Sequence, residues 1–121
     1  MDPLQKARIG KTELYVPRLG LGGAGLAGLY KPAEESESKS TIKAALNKGV
    51  AYCDTAPLYG YGGSERFYGS VLKNYDRESF VISTKVGRII GSSDGPTTGP
   101  IRPTETTGIA MWHDFSREGV L

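Results

Sequence analysis

The sequence predicts an α/β protein built on a parallel sheet, either a closed barrel or an open doubly wound sheet. Three observations carry this. Strand-like and helix-like apolar runs alternate along the chain. One run, Phe80–Thr84, is unbroken and β-branched, as in strands covered on both faces. Glycine supplies 17 of 121 residues, about twice the usual share, clustered at 20–28, 60–69 and 87–108. Such clusters suit tight strand-to-helix connections, or loops where a ligand lies against bare backbone.

The elements follow in order. Residues 6–17 read as a hairpin around Gly10-Lys11-Thr12. Residues 18–85 read as β-α-β-α-β. Arg18–Gly22 is a short strand leading into a Gly-rich loop. Ser38–Lys48 carries Ile42, Ala45 and Leu46 at i, i+3, i+4 and predicts an amphipathic helix. Its Ser-rich start suits capping, and Gly49 is its stop. Val50–Cys53 is a strand ending at Asp54. Ser64 is expected to cap the next helix, with Glu65 in its first turn and Phe67, Val71 and Leu72 on one face. Phe80–Thr84 is the third strand and ends at Lys85.

From Val86 to Asp114 the pattern predicts no regular element, so this stretch reads as a long loop, a lid or an insert. Residues 115–121 read as the start of a third helix with Ser116 as N-cap. An unpacked helix needs roughly twelve residues to persist. A start signal with so little behind it points to a larger protein, of which residues 1–121 are the N-terminal part.

Composition narrows the function classes. A net charge of +2, without a run of like charges, argues against a nucleic-acid or membrane-surface protein. One Cys gives no internal disulfide framework and fits a reducing, cytoplasmic compartment. No apolar run approaches a membrane span, and Met1–Lys6 lacks the apolar core of a secretory signal. His113 has no second ligand at metal spacing, so no metal site is expected.

Two groups of residues carry chemistry. Gly20–Gly25 matches G-x-G-x-x-G, which works only where a helix opens directly onto the pyrophosphate and an acid follows about 20 residues on. Here Leu26–Glu35, with Pro32, intervenes before helical periodicity begins, and Asp54 stands beyond that spacing. A dinucleotide fingerprint in an open sheet therefore stays a rival reading. The second group is Asp54, Tyr59 and Lys85, placed at or just past strand carboxyl ends, where parallel α/β folds bind ligands. A phenol is ordinarily a poor acid at neutral pH. A neighbouring ammonium favours its ionised form, and a carboxylate holds that ammonium in place. Tyr59 could then exchange a proton with a carbonyl or alcohol oxygen. The plain alternative, an Asp54–Lys85 strand-end ion pair beside a turn aromatic, stays open.

Gly20-Leu21-Gly22-Gly23, Asp54-Thr55-Ala56-Pro57-Leu58-Tyr59-Gly60, Gly63-Ser64-Glu65 and Ser83-Thr84-Lys85-Val86-Gly87 together resemble the N-terminal third of an aldo-keto reductase. Gly87-Arg88 and Asp114-Phe115-Ser116 look closest to its sugar and pyridoxal dehydrogenase branch. The resemblance implies a (β/α)8 barrel of ~250 or more residues, closed beneath by the N-terminal hairpin. It implies an oxidoreductase using NADP or NAD to interconvert a carbonyl (aldose, lactone-forming sugar or aldehyde) and an alcohol. Carried over residue by residue, Tyr59 is the proton donor or acceptor, and Lys85 and Asp54 tune it. Gly23, Ala24 and Asp54 lie at the nicotinamide end of the cofactor.

The family's fourth catalytic residue, a His ending the fourth barrel strand, has no match here; His113 is read as a loop residue. With three strands where the barrel has eight, the 121 residues alone are expected to fold weakly and lack activity. A truncated, inactive fragment or an interaction module is therefore the alternative. Cys53, Tyr61 and Tyr68 are read as packing residues, and Trp112 as an aromatic that could cover a substrate.

Overall fold

A computed structural model describes residues 2–29, 32–92 and 109–121. The predicted hairpin is present: β1 (Lys6–Arg8) and β2 (Tyr15–Pro17) pair antiparallel, with Ala7 opposite Val16. Arg8 closes the turn by donating to the Lys11 and Thr12 carbonyls and pairing with Glu13.

Three short parallel strands form the sheet: β3 (Leu21–Gly22), β4 (Tyr52–Asp54) and β5 (Val81–Ser83). Their order is sequential, with β4 in the middle. The register sets Gly22 beside Asp54, and Asp54 beside Ser83. The strand carboxyl ends therefore finish level. The strands are shorter than the sequence predicts, and β5 is half-buried along its length, not covered on both faces. Among the described residues it lies at an edge of this sheet.

A one-turn helix, α1 (Gly23–Leu26), follows β3 directly, where a loop was predicted. Four residues are too few to show apolar periodicity, so packing makes this turn. Gly23 is buried, and a Cβ there would stand 2.1 Å from Ser64 Oγ and 3.0 Å from the Tyr68 ring. Only a bare backbone lets the turn approach that closely.

Helix α2 (Glu35–Asn47) starts earlier than predicted. Its N-cap is Glu34, which makes no side-chain cap bond. The expected Ser cap is incorrect, because the serines lie inside the helix. Ser40 bonds back to the Ser36 carbonyl, and Ser38 donates to the Leu26 carbonyl at 2.8 Å, tying α2 to α1. Glu35 and Glu37 instead face the positive end of the helix dipole. Gly49 lies past the C-cap in the left-handed conformation (φ 84°), as predicted.

Helix α3 (Gly63–Leu72) also begins before its expected cap. Ser64 lies inside the first turn, fully buried, with its hydroxyl 2.7 Å from Thr55 Oγ1. The end of α3 is closed by backbone instead: the Gly62, Gly63 and Ser64 amides donate to the Pro57, Gly60 and Tyr59 carbonyls. This winds the 57–62 loop onto the helix and fixes Tyr59. The apolar face centres on Tyr68, Val71 and Leu72, with Phe67 at its margin. With Ile42 of α2, Cys53 of β4 and Phe80, these form the core between α2, α3 and the sheet.

The 57–62 turn depends on glycine at position 60. Gly60 has φ 61°, and a Cβ there would meet the Ala27 Cβ at 2.7 Å and its carbonyl oxygen at 2.8 Å. Gly60→Ala is expected to lower unfolding free energy by at least about 2 kcal/mol, from left-handed strain plus collision. Urea unfolding of the whole protein checks this.

Beyond Lys85 the sequence predicts no regular element before Asp114, and this is corrected. Strands β6 (Arg88–Ser92) and β7 (Ile109–His113) pair antiparallel through five rungs, from Arg88 opposite His113 to Ser92 opposite Ile109. Residues 93–108 between them, including Gly95, Pro96 and the Thr cluster, lie outside the described residues. His113 thus ends a strand and is not a loop residue. Trp112 is buried and lies over Gly91 of the facing strand. Helix α4 (Arg117–Val120) opens as predicted, with Ser116 Oγ accepting from the Gly119 amide.

Candidate active site

The level strand ends bring the predicted residues together. Asp54 closes β4, and Lys85 lies two residues past β5. Lys85 Nζ reaches Asp54 Oδ2 at 2.9 Å, Oδ1 at 3.2 Å and the Thr55 carbonyl at 3.0 Å. Ser83 Oγ donates to Asp54 Oδ1 at 2.8 Å and lies 3.2 Å from the Tyr52 hydroxyl. The carboxylate is thus held from two sides by groups of the next strand. Tyr59 leans over from its loop, and Lys85 Nζ stands 5.0 Å from its ring centroid.

Burial alone would push the Asp54 carboxyl up, but hydrogen bonds from Lys85 and Ser83 outweigh it and hold the group below its ordinary range. The Asp54 hydrogen bond raises the Lys85 ammonium above its ordinary range, with Tyr59 acting in the same direction. Both groups therefore stay charged at neutral pH.

The pH dependence has two signs. Depression of Asp54 adds stability above the ordinary carboxylate range, lost as pH falls through the folded-state value. Elevation of Lys85 adds stability below the ordinary lysine range, lost as pH rises through its folded-state value. The side chains are 39% and 49% exposed, so water screens the pair to at most about 1 kcal/mol. In urea titrations of the whole protein, Asp54→Asn should trail the parent by a constant margin between about pH 5 and 9. The margin should close in stronger acid.

A cleft of about 380 Å³ opens at this rim, lined by Tyr59 and Lys85 and by Ala56, Pro57, Leu58, Val86, Arg88, His113 and Phe115. Sequence reasoning missed the last three as site residues, because they depend on the β6–β7 hairpin. The available signal was the pair of apolar runs, Ile89-Ile90 and Ile109–Trp112, flanking a Gly-, Pro- and Thr-rich stretch. The His113 ring stacks on Phe115, with centroids 6.2 Å apart at 15°.

The other predicted positions are arranged as follows. Gly23 is buried under α3, Ala24 is half-buried, and Gly22, the last residue of β3, has no atom of the described residues other than its chain neighbours within 4 Å of a notional Cβ. This leaves bare backbone at the strand end beside Asp54, suited to a flat group. Cys53 is fully buried and burial pushes its thiol up to about 11, so it is a neutral packing group. Tyr68 is likewise internal, its hydroxyl donating to the Leu21 carbonyl at 2.7 Å. Tyr61 is exposed on the turn beside Tyr59.

Residues 18–114 match the model of the aldo/keto reductase family. Pyridoxal 4-dehydrogenase of Microbacterium luteolum is 36% identical over 126 residues, covering 97% of this chain and 36% of that protein. D-threo-aldose 1-dehydrogenase of Pseudomonas sp is 40% identical over 77 residues, 64% of this chain and 23% of that one. Among solved structures, an aldo-keto reductase from Bacillus halodurans in its holo form superposes with TM-score 0.69 at 28% identity, over 95% of this chain and 32% of its own. An aldo-keto reductase from Klebsiella pneumoniae in complex with NADPH matches with TM-score 0.52 at 28% identity, over 60% of this chain and 24% of its own. These neighbours are (β/α)8 barrels. The chain spans about a quarter to a third of the length of these relatives.

Proposed function

The chain belongs to the aldo/keto reductase family, and from that premise we propose that the whole protein is an NAD- or NADP-dependent oxidoreductase. It interconverts a carbonyl compound (an aldose, a lactone-forming sugar or an aldehyde) and the corresponding alcohol. The observation that carries this is the Asp54–Lys85 pair set against the Tyr59 ring in an open cleft at the strand carboxyl ends. A strand-end ion pair alone needs neither a tyrosine beside it nor a cleft.

Bound nicotinamide supplies a hydride to the carbonyl carbon, or accepts one from the alcohol carbon. The protein's own residues handle the proton. Tyr59 gives its hydroxyl proton to the carbonyl oxygen in reduction and takes it back in oxidation. Lys85 keeps a positive charge against the ring where negative charge develops on the phenol oxygen. Asp54 and the Thr55 carbonyl fix that ammonium by accepting its hydrogen bonds, and Ser83 in turn donates to Asp54. Asp54, Gly23 and Ala24 would hold the nicotinamide end, with bare backbone at Gly22 completing the surface. The NADPH complex of the Klebsiella pneumoniae relative supports the cofactor class. The names of the two dehydrogenases support pyridoxal-like aldehydes and aldoses as substrates. The free, buried Cys53 supports a reducing compartment, the cytoplasm.

The test is the absorbance of NADPH or NADH, followed both as it is consumed and as it forms from the oxidised cofactor, with pyridoxal and a set of aldoses. Turnover of at least one carbonyl with one cofactor is expected. No change of cofactor oxidation state in either direction with any of them would overturn the reading. The alternative is a non-catalytic chain acting through the outer edges of β3 and β5, where the sheet stops among the described residues. On that reading, Tyr59→Phe changes nothing measurable.

A further inference from the structure

A second cleft, of about 260 Å³, adjoins the first and is lined by Leu58, Tyr61, Arg88, Met111 and His113. Leu58, Arg88 and His113 line both clefts, so the first rung of the β6–β7 hairpin is a shared wall. No role in the proposed reaction falls on this second space. We infer that it is a distal substrate subsite, taking an apolar or ring body that carries an anionic oxyacid group, a carboxylate or a phosphate. This rests on the oxidoreductase reading of the neighbouring cleft.

Chemistry on the page supports each part. Leu58, Tyr61 and Met111 supply an apolar and aromatic surface. Arg88 is exposed, and among the described residues its guanidinium has neither an ion pair nor a hydrogen-bond partner. Among the described residues, no acidic side chain lines either cleft. Glu65 shares a separate cleft with Arg88, but its carboxylate accepts the Thr84 hydroxyl at 2.7 Å. A guanidinium always carries its charge and presents a planar fork of donors, which matches a carboxylate or phosphate in two-point geometry. His113 is positioned beside it by strand pairing and by stacking on Phe115, and its ring N–H adds a donor.

The backbone at Tyr61 agrees. Tyr61 adopts φ 48°, between Gly60 and Gly62, also at positive φ. A tyrosine there is strained, and at 39% exposure core packing does not explain it. A face for an apolar substrate body does.

The probes are benzaldehyde and 4-carboxybenzaldehyde, which differ by one carboxylate. Binding to the whole protein is measured by calorimetry and turnover by cofactor absorbance. The carboxylated probe should bind about 10- to 100-fold more tightly, as for hydrogen bonds to a charged group. Arg88→Ala should bring that ratio close to one, and Arg88→Lys should keep part of it. Arg88 is exposed, so neither change threatens the fold. A parent protein without the preference, or a ratio unchanged in Arg88→Ala, overturns the subsite. If both aldehydes are turned over without preference, the subsite fails and the oxidoreductase reading stands. If the carboxylated probe binds through Arg88 but neither probe, nor pyridoxal, nor any of the aldoses is turned over, the oxidoreductase reading fails and with it the substrate role of this cleft, and Arg88 remains an anion-binding site only.

Discussion

Tyr59→Phe in the whole protein is expected to lower kcat by about 10²- to 10⁴-fold, the usual worth of a positioned general acid or base. The substitution removes one oxygen and leaves the ring, so Lys85 keeps its aromatic neighbour. Tyr59 is only partly buried, and the loop holding it is fixed by backbone bonds from Gly62, Gly63 and Ser64. Stability and substrate KM should therefore change little, which separates loss of chemistry from loss of fold. Steady-state kinetics beside urea unfolding of the same preparation checks this. A variant retaining more than about a tenth of parental kcat would remove Tyr59 from the reaction. A variant that loses activity and stability together would point to a structural role.

The largest expected effect on stability is at Tyr68. Its side chain is fully buried at the centre of the core, against α1, β3 and the sheet, and its hydroxyl donates to the Leu21 carbonyl. Tyr68→Ala is expected to cost about 3–5 kcal/mol, the range for an aromatic truncated in a packed core. Tyr68→Phe keeps the ring and should cost about 1–3 kcal/mol, from the carbonyl left without its donor. Urea midpoints of both variants in the whole protein provide the check. Equal losses would assign the position to its hydrogen bond, and loss only in the alanine variant would assign it to packing. Because α1 rests on this residue, the alanine variant should also disturb the backbone at Gly22 and Ala24 beside Asp54.

Much of this architecture was legible because it is local. The 6–17 hairpin, the Ile42 face of α2, the Gly49 stop and the Ser116 cap each rest on neighbours within a turn or two. The site residues were legible for a related reason. A strand that ends in a charged or chemically active residue places it at the rim, whatever the strand's length. Asp54 and Lys85 meet because the register sets Asp54 beside Ser83. Position alone did not distinguish a working site from a strand-end ion pair. The cleft and the Tyr59 ring at 5.0 Å from Lys85 Nζ favour the former.

What escaped the sequence depends on distant partners. Ser64 has the residue type of an N-cap, but burial against Thr55 and the glycine turn before it put it inside the helix. The serines near position 38 were overridden in the same way by contact with α1. The β6–β7 hairpin is the clearest case. Its strands pair Arg88–Ser92 with Ile109–His113 across sixteen intervening residues, so neither a short turn nor a helical period announces it. With the hairpin went Arg88, His113 and Phe115, the far wall of the cleft. Trp112 was misplaced for the same reason, since strand alternation turns it to the opposite side from His113.

The central claim is that a carbonyl at this rim receives hydride from a nicotinamide and a proton from Tyr59. Nicotinamide cofactor deuterated at the transferring position of its ring, incubated with the whole protein and an aldehyde substrate, tests it most directly. Mass spectrometry of the alcohol should find the deuterium on the carbinol carbon, at a rate that collapses in Tyr59→Phe. An alcohol without deuterium, or labelled alcohol formed at the parental rate by Tyr59→Phe, would contradict it.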